Sequence, residues 1–496
     1  MLNSRNVRPT ALAMAIALGV TGCASVDNQL GGMDKTSACV AGGMLGAVLG
    51  AGVAVALGKN AAGGAIAGAA VGCGATLAYQ ARVKRLQAIA TEEGMSMQIK
   101  ELATAQAPTA GKSAPQLQPV GIEAQVQDSA MFATGSAVLT ANGERQLRKM
   151  AAVLAEGQSG TQTAPKKILV VGHTDSTGNA ELNQRLSEQR ARAVSTILAQ
   201  AGLQPADIYY QGAGASRPVA ANITTEGRAQ NRRVELTQVD NQQLLVARVR
   251  AERNNPKYLE HGTRTSPAAT AASAPVKTPT LSKADKAESS PATAQPAPST
   301  GIPVQGKGGI DFGGHQVVSM ESALARGIEP KKSVFSVISP AYASAPVGSC
   351  VADMPRMAGE VKNLATDRAL VDIATTDYLP GMNGRPWGQA INGHVALVGP
   401  VAILKEDATV AVQPFMQFIP DYKTSKKQSE KIQSIANTFD GETKVLYRVF
   451  AVDASKSPVS CMDIVFDKRT GAATAGELFY PKQGEAFVAE FEPVRR

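Results

Sequence analysis

At 496 residues the chain is too long for one hydrophobic core, and its length predicts two to four domains. Aromatic residues make up only 4% of it and Trp387 is the sole tryptophan, so part of the length cannot form an ordinary core. The net charge of +9 includes no run of five or six Lys or Arg, which argues against nucleic acid and favours an anionic surface such as lipid headgroups or an acidic polymer.

The N-terminus predicts export. Arg5 and Arg8 precede the apolar run 11–20, and small residues follow, which is typical of a secretory signal peptide over 1–22. The run is too short to span a membrane. The sequence "VTGC" resembles the lipobox of bacterial lipoproteins, which implies a palmitate-type acylation of Cys23 and a lipidated N-terminus over 23–38. Ordinary cleavage that leaves Cys23 as a plain thiol is the alternative.

In lipoproteins of this kind, the residue after the acylated cysteine directs sorting. That residue is Ala24, not Asp, which resembles lipoproteins sent to the outer membrane. We therefore expect a lipid-anchored protein at the cell outer membrane that faces the periplasm and contacts outer-membrane lipid.

Residues 39–80 are nearly uncharged and carry glycines at every fourth position, namely Gly42, Gly46, Gly50, Gly64, Gly68 and Gly72. This spacing predicts an α-helical glycine-zipper hairpin, because glycines on one helix face allow a second helix to approach closely. Each helix has about the length needed to cross a bilayer. The zippers also suggest a homo-oligomer, and a water-soluble helical pair is the alternative.

Residues 81–119 are predicted to be a connector that is helical up to residue 104, broken near Gly94 and followed by a Pro-rich linker. A folded domain is expected over 120–240. Its hydrophobic periodicity predicts strands at 121–132, 166–172, 207–214 and 232–239 and helices at 143–157 and 179–202. This alternation predicts an α+β sandwich with helices on one face of the sheet.

The rest of the chain divides into a Pro/Ala/Ser-rich linker at 241–305 and a β-rich C-terminal domain at 306–496. The linker is expected to let the C-terminal domain range far from the middle domain. Strands are predicted at 394–404, 409–419, 443–453 and 461–480, the last as a hairpin turning at 468–471, with one helix at 423–439.

Four cysteines besides Cys23 would lie in an oxidising compartment, and they allow three pairings. Cys350 with Cys461 is favoured because both belong to the C-terminal domain. The pairing of Cys39 and Cys73 stays open.

The middle domain carries four motifs in order: G-H-T-D at 172–175, N-x-x-L-S-x-x-R-A at 183–191, G-x-G at 212–214 and N-R-R-V-E at 231–235. Together they closely resemble the OmpA-like (OmpA/MotB) peptidoglycan-binding domain over 120–239. The resemblance implies a peptidoglycan partner, recognised at the diaminopimelate of the stem peptide. It also implies that Asp175 and Arg190 grip this ligand, that Thr174 and Asn183 shape the pocket, and that Asn231 and Arg233 are weaker candidates for ligand or loop support.

The residue types agree with that role. Diaminopimelate carries carboxylate and ammonium groups, so a selective pocket needs both signs of charge. Asp175 can accept hydrogen bonds from an ammonium, and the planar guanidinium of Arg190 can hold a carboxylate through two hydrogen bonds. An ordinary surface ion pair is the alternative for these two residues.

No motif predicts an enzyme, a metal site or a cofactor. The four histidines, His173, His261, His315 and His394, lie outside any metal-binding motif, and a packing role is favoured for His173. Nucleophilic chemistry by His315 with Ser319, or by Cys461, is disfavoured. The sequence therefore predicts a non-catalytic tether between outer membrane and cell wall. The alternatives are a component of an envelope-spanning secretion or motility complex and a carrier of a C-terminal cell-wall enzyme.

Overall fold

The computed structural model describes residues 73–106, 116–156, 165–262, 304, 306–319, 321–329, 348–370, 377–424 and 429–496. The predicted signal peptide, Cys23, and the glycine zippers up to residue 72 lie outside the described residues, as does the stretch 263–303 of the predicted linker. Among the helices of these ranges, none is both long enough and apolar enough to cross a membrane.

The described residues form two β-sheets and several helices, numbered in chain order. The helices are α1 Cys73–Glu92, α2 Ala141–Ala155, α3 Ala180–Gln200, α4 Thr225–Asn231, α5 Gln242–Glu252 and α6 Ala323–Arg326. The strands are β1 Met97–Gln106, β2 Gln116–Gln127, β3 Lys167–His173, β4 Ile208–Gly212, β5 Arg233–Val239, β6 His315–Gln316, β7 Lys362–Asn363, β8 Tyr378–Ile391, β9 His394–Leu404, β10 Val410–Val412, β11 Phe415–Ile419, β12 Lys431–Asp440, β13 Lys444–Ala451, β14 Cys461–Asp467, β15 Ala473–Lys482, β16 Glu485–Phe491 and β17 Val494–Arg495.

The first sheet has the strand order β1-β2-β5-β3-β4-β7. β3 and β4 are parallel, and the other neighbours are antiparallel. Helices α2 and α3 cover one face and share its apolar core with Ile168 and Val170. Helix α5 covers part of the other face, where Leu245 packs with Leu169 and Val171. The predicted α+β sandwich is confirmed, with an additional layer on the second face.

Local signals explain where the two main helices begin. The side chain of Thr140 accepts a hydrogen bond from the Gly143 N–H at 3.0 Å, which caps α2. Asn179 caps α3 in the same way by accepting from the N–H groups of Glu181 and Leu182. Such caps satisfy N–H groups that have no partner inside the helix, and each stabilises the helix by about 1 kcal/mol.

Two glycines allow α3 to lie close to the sheet. A Cβ atom on Gly172 of β3 would lie 2.2 Å from the Ser187 carbonyl oxygen, and one on Gly212 of β4 would lie 2.5 Å from the Glu188 nitrogen. Only glycine fits at such a distance from a helix backbone. This close approach sets the position of α3 relative to the ends of β3 and β4.

The second sheet is an antiparallel meander. Strands β8, β9 and β11 to β16 pair with their neighbours in order, β10 pairs with β9, and β17 returns to pair with β8. The meander therefore curves until its last strands meet its first. Its interior is an apolar core that includes Trp387, Tyr447 and Phe466, with the rings of Trp387 and Phe466 5.0 Å apart.

The C-terminal domain is β-rich, as predicted, and strands occur at all four predicted places, with the hairpin turn at 468–471. The predicted helix at 423–439 is wrong, because residues 431–440 form β12. There Ile432, Ser434, Ala436 and Thr438 are buried at every second position, a period that suits a strand between two others. The helix predicted after Gly94 is also wrong, since 97–106 form β1 at the sheet edge.

Residues 348–370 join the two sheets. Strand β7 pairs with the edge strand β4. The buried guanidinium of Arg356 donates to the main-chain oxygens of Ser216 at 3.2 Å, Tyr258 at 2.7 Å and His261 at 3.1 Å. The expectation that the C-terminal domain ranges freely is therefore wrong. It docks on the first sheet through residues 348–370, whose sequence has no pattern that predicts this contact.

A disulfide ties this segment to the second sheet. Cys350 and Cys461, the pair favoured from the sequence, are bonded at 2.04 Å and lie 111 residues apart. Closing a loop of that length stabilises the fold by ~4–5 kcal/mol in the chain-entropy model. Asp353 adds a buried ion pair to Arg448 of β13 at 2.8 Å. The segment is thus held at both ends.

The structure also corrects the start of the linker. Residues 242–262, assigned from the sequence to the 241–305 linker, form α5 and a 3₁₀ turn at Pro256–Glu260. Leu244, Leu245 and Val249 supply the apolar side of α5 and are buried against the sheet. The Pro/Ala/Ser-rich composition begins only after this helix.

Candidate functional site

The motif residues meet at one end of the first sheet. β2 and β3 run in the same direction because both are antiparallel to β5, and β4 is parallel to β3. The loops 128–140, 174–179 and 213–224 therefore all leave the sheet at the same end. Asp175 lies in the second of these loops, and α3 begins directly after it. The chain reverses direction between β3 and α3. Loop residues and side chains of α3 therefore meet at this end of the sheet, which forms the mouth of the candidate site.

Four charged side chains form a chain of ion pairs at this mouth. Arg190 of α3 pairs with Asp128 and donates to the Ser136 carbonyl oxygen at 2.8 Å. Arg232 lies 3.8 Å from the other oxygen of Asp128 and donates to Asp175 at 2.6 Å. The structure therefore brings Asp175 and Arg190 together through Asp128 and Arg232, and the four charges sum to zero.

The two halves of this chain differ in exposure. The side chains of Asp128 and Arg190 are each 5% exposed, whereas that of Arg232 is 35% exposed. Burial raises the pKa of the Asp128 carboxyl and lowers the pKa of the Arg190 guanidinium, and their mutual attraction opposes both shifts. The Phe132 ring packs 5.0 Å from the Arg190 guanidinium carbon. Arg190 is thus fixed at the floor, the Asp175 side chain is 13% exposed above it, and Arg232 forms the accessible rim.

The Asp175 loop is held by its own hydrogen bonds. One Asp175 oxygen accepts from the Thr177 N–H at 2.9 Å. The Asn183 amide donates to the carbonyl oxygens of Asp175 at 3.3 Å and Thr177 at 3.0 Å. Thr174 is buried, and its N–H donates to the Gly214 oxygen at 3.0 Å. Asn183 thus supports the loop that carries Asp175 from α3, and Thr174 ties the start of this loop to the 213–224 loop.

The N-R-R-V-E motif separates into different environments. Asn231 is buried and bonds the main chain of Val219 and Ala220, so it organises the 213–224 loop. Arg233, the first residue of β5, does not join Asp175, whereas Arg232 in the turn before β5 reaches it. Arg233 pairs instead with Glu235 at 2.6 Å on the second face.

His173 is buried beside Glu235, with the nearest nitrogen and oxygen 3.5 Å apart. Burial and the positive charge of Arg233 lower the pKa of His173 to about 4, and Glu235 opposes that shift. The imidazole is therefore neutral at pH 7. In the part of the chain that the structure describes, no three His, Cys, Asp or Glu side chains are arranged to hold a metal ion.

The sequence interpretation missed Asp128 and Arg232. Arg232 is adjacent to the proposed Arg233, and the alternation of strand residues was the signal that could have distinguished them. Asp128 lies 62 positions before Arg190, and its pairing depends on the tertiary fold. No local pattern marks Asp128 as a partner of α3.

Exposed apolar side chains occur at the same end of the sheet. Within residues 73–262, the large hydrophobic side chains that the structure describes as exposed are Val138, Leu182, Val219 and Ile223. Val138, Val219 and Ile223 lie in the loops at this end, and Leu182 is in the first turn of α3. They expose apolar surface at the end of the domain that carries the charged group.

The C-terminal residues considered for chemistry have structural partners. Cys461 is in the disulfide and so has no free thiol. The Ser319 hydroxyl accepts from the Glu321 N–H at 3.1 Å, and His394 accepts from the Asp421 N–H at 3.0 Å. His315 lies in β6, in register with Val488. These contacts are those of turn and strand residues.

Comparison with known proteins identifies the middle domain. Residues 131–232 match the model of the OmpA family and form an OmpA family domain. The chain is 45% identical over 107 residues to the probable lipoprotein YiaD of Escherichia coli K12, which covers 21% of this chain and 46% of the relative. It is 43% identical over 70 residues to the peptidoglycan-binding protein ArfA of Mycobacterium tuberculosis H37Rv, covering 14% of this chain and 22% of the relative.

Among solved structures, the cell wall anchor of the T6SS from Pseudomonas aeruginosa is 25% identical, over 32% of this chain and 96% of that chain. The TM-score of the two structures is 0.24. The chain spans less than half of the length of the two relatives, so the likeness concerns one domain of each.

Proposed function

We propose that this chain is a non-catalytic outer-membrane lipoprotein that binds peptidoglycan at the diaminopimelate of the stem peptide and so tethers the outer membrane to the cell wall. The observation that carries the proposal is the neutral group of two carboxylates and two guanidiniums at one end of the OmpA family domain. The name of the relative ArfA, a peptidoglycan-binding protein, supports the ligand, and that of YiaD, a probable lipoprotein, supports the anchor.

The chemistry of the site suits a zwitterion. Diaminopimelate carries an ammonium and a carboxylate on the carbon at the far end of its side chain, with no net charge there at pH 7. Its ammonium can take the place of Arg232 at Asp175, and its carboxylate can accept from Arg232 and Arg190. In the free site each charged group already has a partner of opposite charge. Binding therefore exchanges one neutral set of ion pairs for another.

The surrounding apolar side chains suit the rest of the ligand. Diaminopimelate joins its charged end to the stem peptide through three methylene groups. Val138 and Leu182 are 75% and 58% exposed beside the charged mouth, and they can cover these methylenes. Burial of one CH₂ group contributes about 0.8 kcal/mol. The charged group would set specificity, and the apolar rim would add affinity.

The experiment that tests this function is cosedimentation of the full chain, in detergent, with isolated peptidoglycan sacculi. Asp175→Asn keeps the shape of the side chain but removes its charge, and we expect it to weaken binding about tenfold or more. Arg185→Gln is the matched control, because Arg185 lies on α3 but forms an exposed pair with Glu181. Circular dichroism should show that both variants fold.

A second arm tests diaminopimelate itself. Sacculi whose stem peptides carry lysine in its place lack the terminal carboxylate, and we expect them to bind much more weakly. Equal sedimentation with both sacculi, or an unchanged Asp175→Asn variant, would refute the proposed ligand. Crosslinking of the chain into large assemblies with other envelope proteins would favour the alternative role in an envelope-spanning complex.

A further inference from the structure

A second concave surface lies on the opposite face of the OmpA family domain. It is a cleft of about 460 Å³ between β1, β2 and β5 on one side and the segment 248–261 on the other. This volume is within the range of small-molecule sites in proteins. Helix α5 packs its apolar side on the sheet and turns Arg248 and Glu252 to the cleft, and Lys257 and Tyr258 of the 3₁₀ turn at Pro256–Glu260 donate to Glu252.

The strands expose a regular polar grid to this cleft. Lys100 is in register with Glu123, and Gln98 with Gln125, across β1 and β2. Across β2 and β5, Gln125 is in register with Glu235 and Gln127 with Arg233. Side chains in register on one face are neighbours. Here they form a continuous polar wall three strands wide.

The floor of the cleft consists of buried ion pairs. Arg248 of α5 pairs with Glu123 and, at 2.6 Å, with Glu252. Lys257 pairs with Glu252 at 2.6 Å. The residues Glu123, Glu252, Arg233 and Arg248 are each at least nine-tenths buried. Because buried charges without partners are costly, these pairs are fixed in position by one another.

The charged side chains that line the cleft are balanced in number. Lys100, Arg233, Arg248 and Lys257 face Glu123, Glu235, Glu252 and Glu260, which gives four positive and four negative groups. A ligand with a net charge would gain from one sign and be repelled by the other. A neutral ligand with many hydroxyl or amide groups can instead bond to both signs at once.

Amide side chains without a hydrogen-bond partner among the described residues also line the cleft. The side-chain amides of Gln98, Gln127 and Gln230 make no hydrogen bond to another residue in the described ranges. An amide offers two donors and one carbonyl acceptor, which matches the donor and acceptor character of sugar hydroxyl and acetamido groups. Planar amides next to fixed ion pairs are suitable partners for a carbohydrate.

We propose that this cleft is a second binding site and that its ligand is a short stretch of neutral N-acetylated glycan. The glycan backbone of peptidoglycan has this chemistry, so the proposal deepens the proposed function and rests on it for the source of the glycan. The Asp175 site would hold the peptide and the cleft the sugar chain. Two linked sites on one polymer increase avidity without strengthening either contact.

The test is calorimetric titration of the full chain, in detergent, with tri-N-acetylchitotriose, a neutral oligomer without peptide. We expect the unaltered chain to bind it. The double variant Gln127→Ala/Gln230→Ala should raise the Kd about tenfold or more, because it removes two amides and leaves every buried ion pair intact. Gln204→Ala is the matched control, since Gln204 is exposed at the other end of the domain. Thermal melting checks that all variants fold.

The outcomes separate this site from the proposed function. Asp175→Asn should reduce binding to sacculi and leave chitotriose binding unchanged. No binding of chitotriose, or equal binding by the double variant, would overturn the glycan site while leaving the sacculus result to stand alone. Displacement of chitotriose by free diaminopimelate would also overturn it, because the cleft would then take a zwitterion.

Discussion

Replacement of Arg356 by methionine tests whether the C-terminal domain is locked to the OmpA family domain. Arg356 is buried and lies between the two sheets. Its guanidinium donates to three main-chain oxygens, at 2.7 to 3.2 Å, and to both oxygens of Asp353 at 3.1 and 3.2 Å. Methionine fills part of the same volume but donates no hydrogen bond.

The loss of stability depends on the groups that lose their hydrogen-bond donor when Arg356 is replaced. The oxygens of Ser216, Tyr258 and His261 would lose a charged donor, at a cost of about 1–3 kcal/mol for each group that stays dry. Asp353 would keep Arg448, which donates to it at 2.8 Å, and the Met354 N–H, which donates to it at 3.0 Å. Removal of one member of a buried pair typically costs about 3–5 kcal/mol. We expect Arg356→Met to lower the free energy of unfolding by about 3–5 kcal/mol.

Urea denaturation followed by circular dichroism measures this loss, and amide hydrogen exchange locates it. The amides of Gly359 and Leu364, which donate to β4 residues at 2.7 and 2.9 Å, should exchange faster in the variant. Arg469→Met at an exposed turn is the matched control and should change neither measurement. A loss below about 1 kcal/mol, with both amides still protected, would refute the view that Arg356 locks the two domains together.

Two further predictions concern pH and packing. Burial next to Asp463 raises the pKa of Glu477 to about 7, so the native state holds this proton more tightly than the unfolded state and stability should fall as pH rises from about 5 to 7. Glu477→Gln should flatten that fall and leave the variant more stable at pH 8 by on the order of 2 kcal/mol, and parallel melting profiles for the two proteins would contradict this. Gly172→Ala should cost about 1–3 kcal/mol and weaken sacculus binding, because the added methyl would meet the Ser187 oxygen and push away α3 with Arg190. Unchanged melting and sedimentation would show that α3 can adapt.

Much of the middle domain could be predicted from its sequence because its signals are local. A continuous apolar run predicts β3, hydrophobic patterning predicts β5, and the caps Thr140 and Asn179 mark the starts of α2 and α3. The motif order led to the OmpA family, and the family model matches residues 131–232. Where period and turn chemistry agreed, as in the hairpin of β14 and β15, the C-terminal strands were also predicted.

Local signals failed where distant contacts decide. The charged, helix-favouring stretch before β12 favours a helix prediction for 423–439. The strand forms there instead because it pairs with β11 and β13. The sequence predicts that 242–262 begin a linker. They form α5 because the sheet provides an apolar surface on which this helix packs. The docking segment has no periodicity of its own, since its order comes from β4, Arg356 and the disulfide.

The amino-acid sequence alone identifies the OmpA family domain and the residue types of its site, because motif spacing and hydrophobic period are properties of neighbouring residues. The three-dimensional fold is needed to show that Asp128 and Arg232 complete the charged group, that Arg233 belongs to the opposite face, and that the C-terminal domain docks on the OmpA family domain. The physical reason is that ion pairs depend on distance in space. The adjacent Arg232 and Arg233 lie on either side of the start of β5 and reach different faces, and the fold brings together carboxylates and guanidiniums that are about sixty residues apart.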